Sequence, residues 1–147
     1  MAKRFAWRLE TVLKARYRTE EHWQQELGKA VFKLNTEIAE RNRIKEQQAN
    51  CRHELRQRQT GRLNMADLTQ INVYLGALER QHRKIEKRIS DAQTIVVQKR
   101  ESLAQAVRDR QILEKLKDRD YQAFRKEMRH QDQRVMDELA GRQKWQP

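Results

Sequence analysis

The stretch that decides the fold is Ile71–Leu113, INVYLGALERQHRKIEKRISDAQTIVVQKRESLAQAVRDRQIL. Read in alternating steps of four and three, it gives Ile71, Leu75, Leu78, His82, Ile85, Ile89, Ala92, Val96, Lys99, Leu103, Ala106, Arg110 and Leu113. Ten of these thirteen are apolar, where the 37% apolar content of the chain would put about five by chance. The positions between them are mostly Glu, Arg, Lys and Gln. A narrow apolar seam recurring every 3.5 residues marks a coiled coil, in which a helix lays one stripe against a partner helix.

Downstream the pattern loosens. Leu116, Tyr121, Phe124, Met128, Val135, Met136 and Leu139 keep helical spacing up to Gly141, which is placed to cap the helix. The tail Arg142–Pro147 is expected to fray. Upstream, Thr60-Gly61-Arg62-Leu63-Asn64 interrupts the pattern. Asn64 suits an N-cap, and Asp67 stands three residues on, where an acid favours the helix dipole. A turn at 59–64 follows. Before it, Phe5, Leu9, Val12 and Leu13 open a first helix, and Trp23, Leu27, Val31, Leu34 and Ile38 continue it. Ile44, Cys51 and Leu55 come after an expected phase slip near Arg41.

The sequence thus predicts an all-α chain, two long helices in an antiparallel coiled-coil hairpin with the second helix longer. It is read as one domain over 1–147, with helix one over 4–58, the turn over 59–64 and helix two over 65–141. Two helices joined by a short turn run antiparallel. Leu34 is then expected to face Ile89, Leu27 to face Val96 and Leu9 to face Glu114. At 1.5 Å per residue the helices span roughly 80 and 110 Å. The end of helix two, with Tyr121, Phe124, Met128 and Val135, is left to find another partner or to pack on the extreme N-terminus.

Composition excludes other classes. One Pro and four Gly in 147 residues cannot punctuate an all-β fold. A charged fraction of 37% equals the apolar one, which excludes a thick core. The single cysteine, Cys51, has no partner for an internal disulfide and fits a reducing compartment. No apolar run approaches a membrane span of about 18 residues, and the basic N-terminus, with no apolar stretch behind it, is not expected to act as a secretory signal. The expected location is the cytoplasm. His22, His53, His82 and His130 are scattered, with no i, i+4 pair for a metal, and no glycine-rich phosphate loop is present. A two-helix chain offers no pocket of convergent groups, so no catalytic residue, metal or cofactor is expected. His82 reads as a polar residue that sets the register of the seam.

The net charge of +12 raises nucleic acid as a partner. Its distribution argues otherwise: residues 1–60 and 61–147 each carry +6, with bases and acids interleaved. The exception is the first 18 residues, where Lys3, Arg4, Arg8, Lys14, Arg16 and Arg18 stand against Glu10 alone. In the hairpin this stretch faces Arg108–Lys126, which is also basic and includes Lys115 and Arg119. The end carrying both termini is therefore a basic tip with Phe5, Trp7 and Tyr17 nearby. Solubilising charge, an acidic protein partner and a nucleic-acid partner all remain open for it on these residues.

The opening Phe5-x-x-x-Leu9-Glu10-x-Val12-Leu13-x-x-Arg16 resembles the start of the FliJ family of the flagellar type III export apparatus. So do Gly61, Leu68, Tyr74-Leu75-x-x-Leu78-Glu79 with Ile85, Leu113-Glu114-Lys115-Leu116-Lys117, and Met136-Asp137-Glu138. The resemblance implies an antiparallel two-helix coiled coil that is non-enzymatic and serves flagellum biogenesis, flagellar protein export and motility. It implies a central-stalk-like protein that binds the hexameric export ATPase and promotes its assembly and activity. It further implies contacts with the cytoplasmic domain of the export gate membrane protein and with export chaperones, and peripheral association with the inner membrane. On that likeness the ATPase-binding tip would be Lys3, Arg4, Phe5, Arg8, Arg16, Arg18, Lys115 and Arg119. The export-gate face would be Tyr74, Leu78, Gln81 and Ile85. An equivalent stalk of a virulence-type injectisome, and a basic coiled-coil scaffold or nucleic-acid-binding protein, are the alternatives.

Overall fold

The computed structural model describes residues 3–61 and 64–144. Helix α1 runs over Glu10–Gln59 and helix α2 over Met65–Lys144, 50 and 80 residues, and no strand occurs among the described residues. The two helices pack against each other, antiparallel as the heptads predict, and α2 is the longer. Arg62 and Leu63, in the predicted turn, lie outside the described residues, as do 145–147.

The turn is built from caps. Thr60 Oγ1 donates to the Gln57 carbonyl at 2.8 Å, closing α1. Asn64 Oδ1 accepts from the Ala66 N–H at 3.1 Å, the N-cap its position promised. Arg58 and Asp67 form an ion pair of 3.2 Å between the two helix ends. No described glycine has positive φ, and a Cβ on Gly61 would meet nothing within 4 Å. The turn therefore does not depend on a left-handed glycine. Nor does Gly141 cap α2, which continues through it to Lys144. An exposed glycine in a helix costs about 1 kcal/mol relative to Ala but does not end it.

The described chain forms two compact units, Trp23–Leu103 and the residues up to His22 with those from Ala104 on. In the first unit every seam position of α2 from Ile71 to Leu103 is buried or half-buried. Ile44, Leu78 and Ile85 form its core at 2–3% exposure. The facing seam of α1 keeps strict four-three spacing through Trp23, Leu27, Ala30, Leu34, Glu37, Arg41, Ile44, Gln48, Cys51 and Leu55, all buried or half-buried. The phase slip expected near Arg41 is absent. Polar Glu37, Arg41 and Gln48 occupy seam places, which hid the period, while the apolar Val31 and Ile38 sit half-buried beside it. Of these Arg41 meets a partner across the seam, and Glu26 and Lys99 form a second cross-helix pair. Glu86 Oε1 lies 3.9 Å from Arg41 Nη1 and 3.4 Å from His82 Nε2, and Lys99 lies 3.7 Å from Glu26.

The second unit is held differently. Helix α1 begins at Glu10 rather than near residue 4, because Phe5 and Trp7 both turn toward α2. Side chains two apart lie about 200° apart on a helix and could not share a side. Burial instead alternates along the non-helical lead: Phe5 half-buried, Trp7 buried, Leu9 half-buried, with Arg4, Ala6 and Arg8 exposed. Phe5 packs on Tyr121 and Phe124, each at 5.4 Å between ring centroids. Of the two fates open to the end of α2, packing on the extreme N-terminus holds for these two aromatics. Trp7 Nε1 donates to Asp120 Oδ2 at 2.9 Å.

Candidate functional site

The end of the chain that carries its termini gathers most of the predicted tip residues. Anchored by Phe5 and Trp7, the lead to α1 leaves Lys3, Arg4 and Arg8 exposed, and Arg18 is exposed on the third turn of α1. Lys115 and Arg119 are exposed on α2; the Arg119 side chain stays 77% exposed although it lies 3.9 Å from Asp120. Arg125 sits over the Tyr121 ring, 5.9 Å from its centroid. Arg16 differs from the rest, since its guanidinium reaches Asp109 at 3.6 Å and helps tie α1 to α2. Phe5 is committed to the aromatic cluster, so it holds the tip together rather than presenting itself.

Beside the cations, the same unit carries a polar network. Arg110, a seam residue of α2, bonds Glu20 through Nε and Glu114 through Nη1, the latter at 3.0 Å. Tyr17 Oη donates to Glu114 Oε1, and the Tyr17 ring lies 5.7 Å from the Arg110 guanidinium carbon. The Tyr17 hydrogen bond, seconded by Arg110, holds the Glu114 carboxyl below its ordinary pKa. The same bond, with burial and the Glu114 charge, pushes Tyr17 up. Glu20 and Glu114 together raise Arg110. Lys117 Nζ pairs with Glu10 at 2.8 Å. Glu114 thus bonds Tyr17 rather than facing Leu9, and the Glu10–Lys117 and Trp7–Asp120 contacts place the pairing about one helical turn from the expected one. An open groove of about 500 Å³ runs over Leu13 between Phe5, Tyr17 and Tyr121, with Asp118 on its rim.

The four residues predicted for the export gate separate into two pairs in the Trp23–Leu103 unit. Tyr74 and Gln81 are exposed, whereas Leu78 and Ile85 are core residues at 2% and 3% exposure. Around Gln81 a shallow groove is lined by Arg43, Lys84 and Arg88 over Ile44 and Ile85. Glu40 is drawn to Arg43, whose hydrogen bond lowers the Glu40 pKa. Cys51 is buried in the seam, and that burial raises its thiol pKa.

Sequence reading placed Trp7 near the tip but not as its anchor, and it missed Asp120 and Lys117 as parts of this arrangement. The signals were present. Phe5, Trp7 and Leu9 alternate with period two, and the four-three count from Leu113 lands on Lys117, Asp120 and Phe124. Both were masked by the search for apolar residues at helical spacing. Among the described residues no group of three or more His, Cys, Asp or Glu is placed to hold a metal, and no helix is long and apolar enough to cross a membrane.

The sequence profile of the FliJ family, described as flagellar FliJ protein, matches residues 5–147. No curated protein and no solved structure matches the chain.

Proposed function

The chain belongs to the FliJ family of flagellar export components, and from that premise we propose that it is a non-catalytic stalk that binds the hexameric export ATPase through the basic end formed by residues 3–18 and the facing part of α2. The observation that carries this reading is the display of Lys3, Arg4 and Arg8 on a segment pinned by Trp7 and Phe5. A single chain at the axis of a ring cannot match every subunit, so its contacts must be loosely directional. Arg and Lys meet that need, since attraction to acidic loops falls off gently with distance and Arg stays fully charged. A ligand that prefers the closed ring promotes its assembly by mass action, which raises turnover with no hydrolysis by the stalk.

The exposed Tyr74 and Gln81, with Arg43, Lys84 and Arg88 around them, supply the face for the cytoplasmic domain of the export gate. Export chaperones are the third partner class, and peripheral placement at the inner membrane follows from the gate. The test is ATPase turnover with the triple reversal Arg4→Glu, Arg8→Glu, Arg18→Glu. Arg16 is left intact because its reversal would also break the Asp109 ion pair. The expected result is a loss of stimulation of about tenfold or more at unchanged helicity, from three exposed contacts of 0.2–1 kcal/mol each turned repulsive. Stimulation equal to the unaltered chain would overturn this assignment of the tip.

A further inference from the structure

The last part of α2 has an apolar stripe that nothing in the chain covers. Residues 131–143 are exposed without exception, with Val135, Met136 and Leu139 at 52–65%. At 100° per residue Phe124, Met128, Val135 and Leu139 fall on one face, and Gln131 lies in line between Met128 and Val135. Phe124 is half-covered by Phe5, so the open stripe runs from Met128 to Leu139. On one flank of the stripe stand Arg129 and Asp132; on the other stand Glu127 and Arg134. None of these four has an ion-pair partner among the described residues.

We propose that this stripe is the interface with a second copy of the chain, paired antiparallel about a two-fold axis beside Gln131. The occupant is chosen by charge. In an antiparallel pair equivalent flanks face each other, and a two-fold interface requires each contact to occur twice. With the axis at Gln131, Met128 of one copy meets Val135 of the other, and Leu139 reaches the open edge of Phe124. Arg129 then faces Asp132 on one flank, and Glu127 faces Arg134 on the other. Both flanks are self-complementary in the same register that matches the apolar residues. Gln131 meets its own counterpart at the axis, where a polar pair fixes register. The stripe is short, with few apolar side chains per copy, which places the pair among weak, reversible associations rather than obligate dimers. The inference uses neither the ATPase nor the gate reading and stands or falls separately from them.

Sedimentation equilibrium of the full chain over a wide concentration range tests it, with circular dichroism confirming that each variant stays helical. The chain is expected to show a reversible monomer–dimer equilibrium. Val135→Asp with Leu139→Asp should leave only monomer. Arg129→Asp alone should weaken association about tenfold, since two symmetric pairs turn repulsive. Arg129→Asp with Asp132→Arg should recover most of that loss. Gln131→Cys in a Cys51→Ala background should form a disulfide-linked dimer under oxidation. Monomer at all concentrations, a dimer indifferent to the two aspartates, or a swap that fails to restore pairing would each overturn the proposal.

Discussion

The Trp23–Leu103 unit and the unit carrying the termini use the same two helices in opposite ways. In the first, apolar side chains fill most of the seam around Ile44, Leu78 and Ile85, with Glu37, Arg41, Gln48, His82 and Lys99 as its polar places. In the second, the seam passes through Arg16, Glu20, Arg110, Lys117 and Asp120 as well as the buried Leu13 and Ala106, and aromatic packing of Phe5 and an indole hydrogen bond add to these few aliphatic contacts. The first unit draws its stability from burial. The second spends seam positions on charge, and in doing so keeps exposed cations, a groove and an aromatic anchor together at one place. A coiled coil that only had to persist would carry the apolar seam throughout.

The comparison breaks first at Leu78. Leu78→Ala should cost about 3 kcal/mol in urea unfolding followed by circular dichroism, as expected for a leucine this buried. An effect under about 1 kcal/mol would mean that the seam does not carry the unit. Trp7→Ala should cost less globally, about 2 kcal/mol, because the lead it anchors is peripheral to the helices. Its larger signature is local: amide exchange in residues 3–12 should speed up by tenfold or more while Trp23–Leu103 is unchanged.

The polar layers sharpen the comparison from the other side. Neither Arg41 Nε nor His82 Nε2, both buried, has a hydrogen bond. His82→Leu should therefore stabilise the chain, by about 1 kcal/mol, since it removes a buried nitrogen that no hydrogen bond satisfies. Arg41 and Glu86 would keep the register. A loss of stability instead would show that His82 holds the layer together.

How much of this was legible in the sequence differs between the units for the same reason. The four-three count located α2, the turn and its Asn64 cap, because apolar residues and turn chemistry there agree with the fold. It misread α1 near Arg41 because Glu37, Arg41 and Gln48 break the apolar period without breaking the geometry. It placed the start of α1 too early because Phe5 and Leu9, four apart, satisfy a helical pattern, while the decisive residue was Trp7 between them. The basic tip was legible as composition. Which cations are free and which are tied, Arg16 to Asp109 above all, required the cross-helix register.

Acid offers a graded test of the polar unit. The Glu114 carboxyl has its pKa depressed in the folded chain, by Tyr17 first and Arg110 second. Its contribution to stability is present above the ordinary glutamate value of about 4.3 and is lost as pH falls through the lower folded value. Glu114→Gln should therefore flatten the acid limb of the stability curve, by a small amount, with little change at neutral pH beyond the lost pairing. The smallest effect is expected at the turn: Gly61→Ala should change stability by less than about 0.5 kcal/mol, since the glycine is neither left-handed nor crowded.

The central claim is that the charged unit, not the apolar one, meets the export ATPase. Hydrogen exchange of the full chain, with and without the assembled ATPase, tests it most directly. The account predicts slowed exchange in residues 3–22 and 104–126, with Trp23–Leu103 unaffected. Protection centred on the turn between Arg58 and Asp67, with the basic end unchanged, would contradict it.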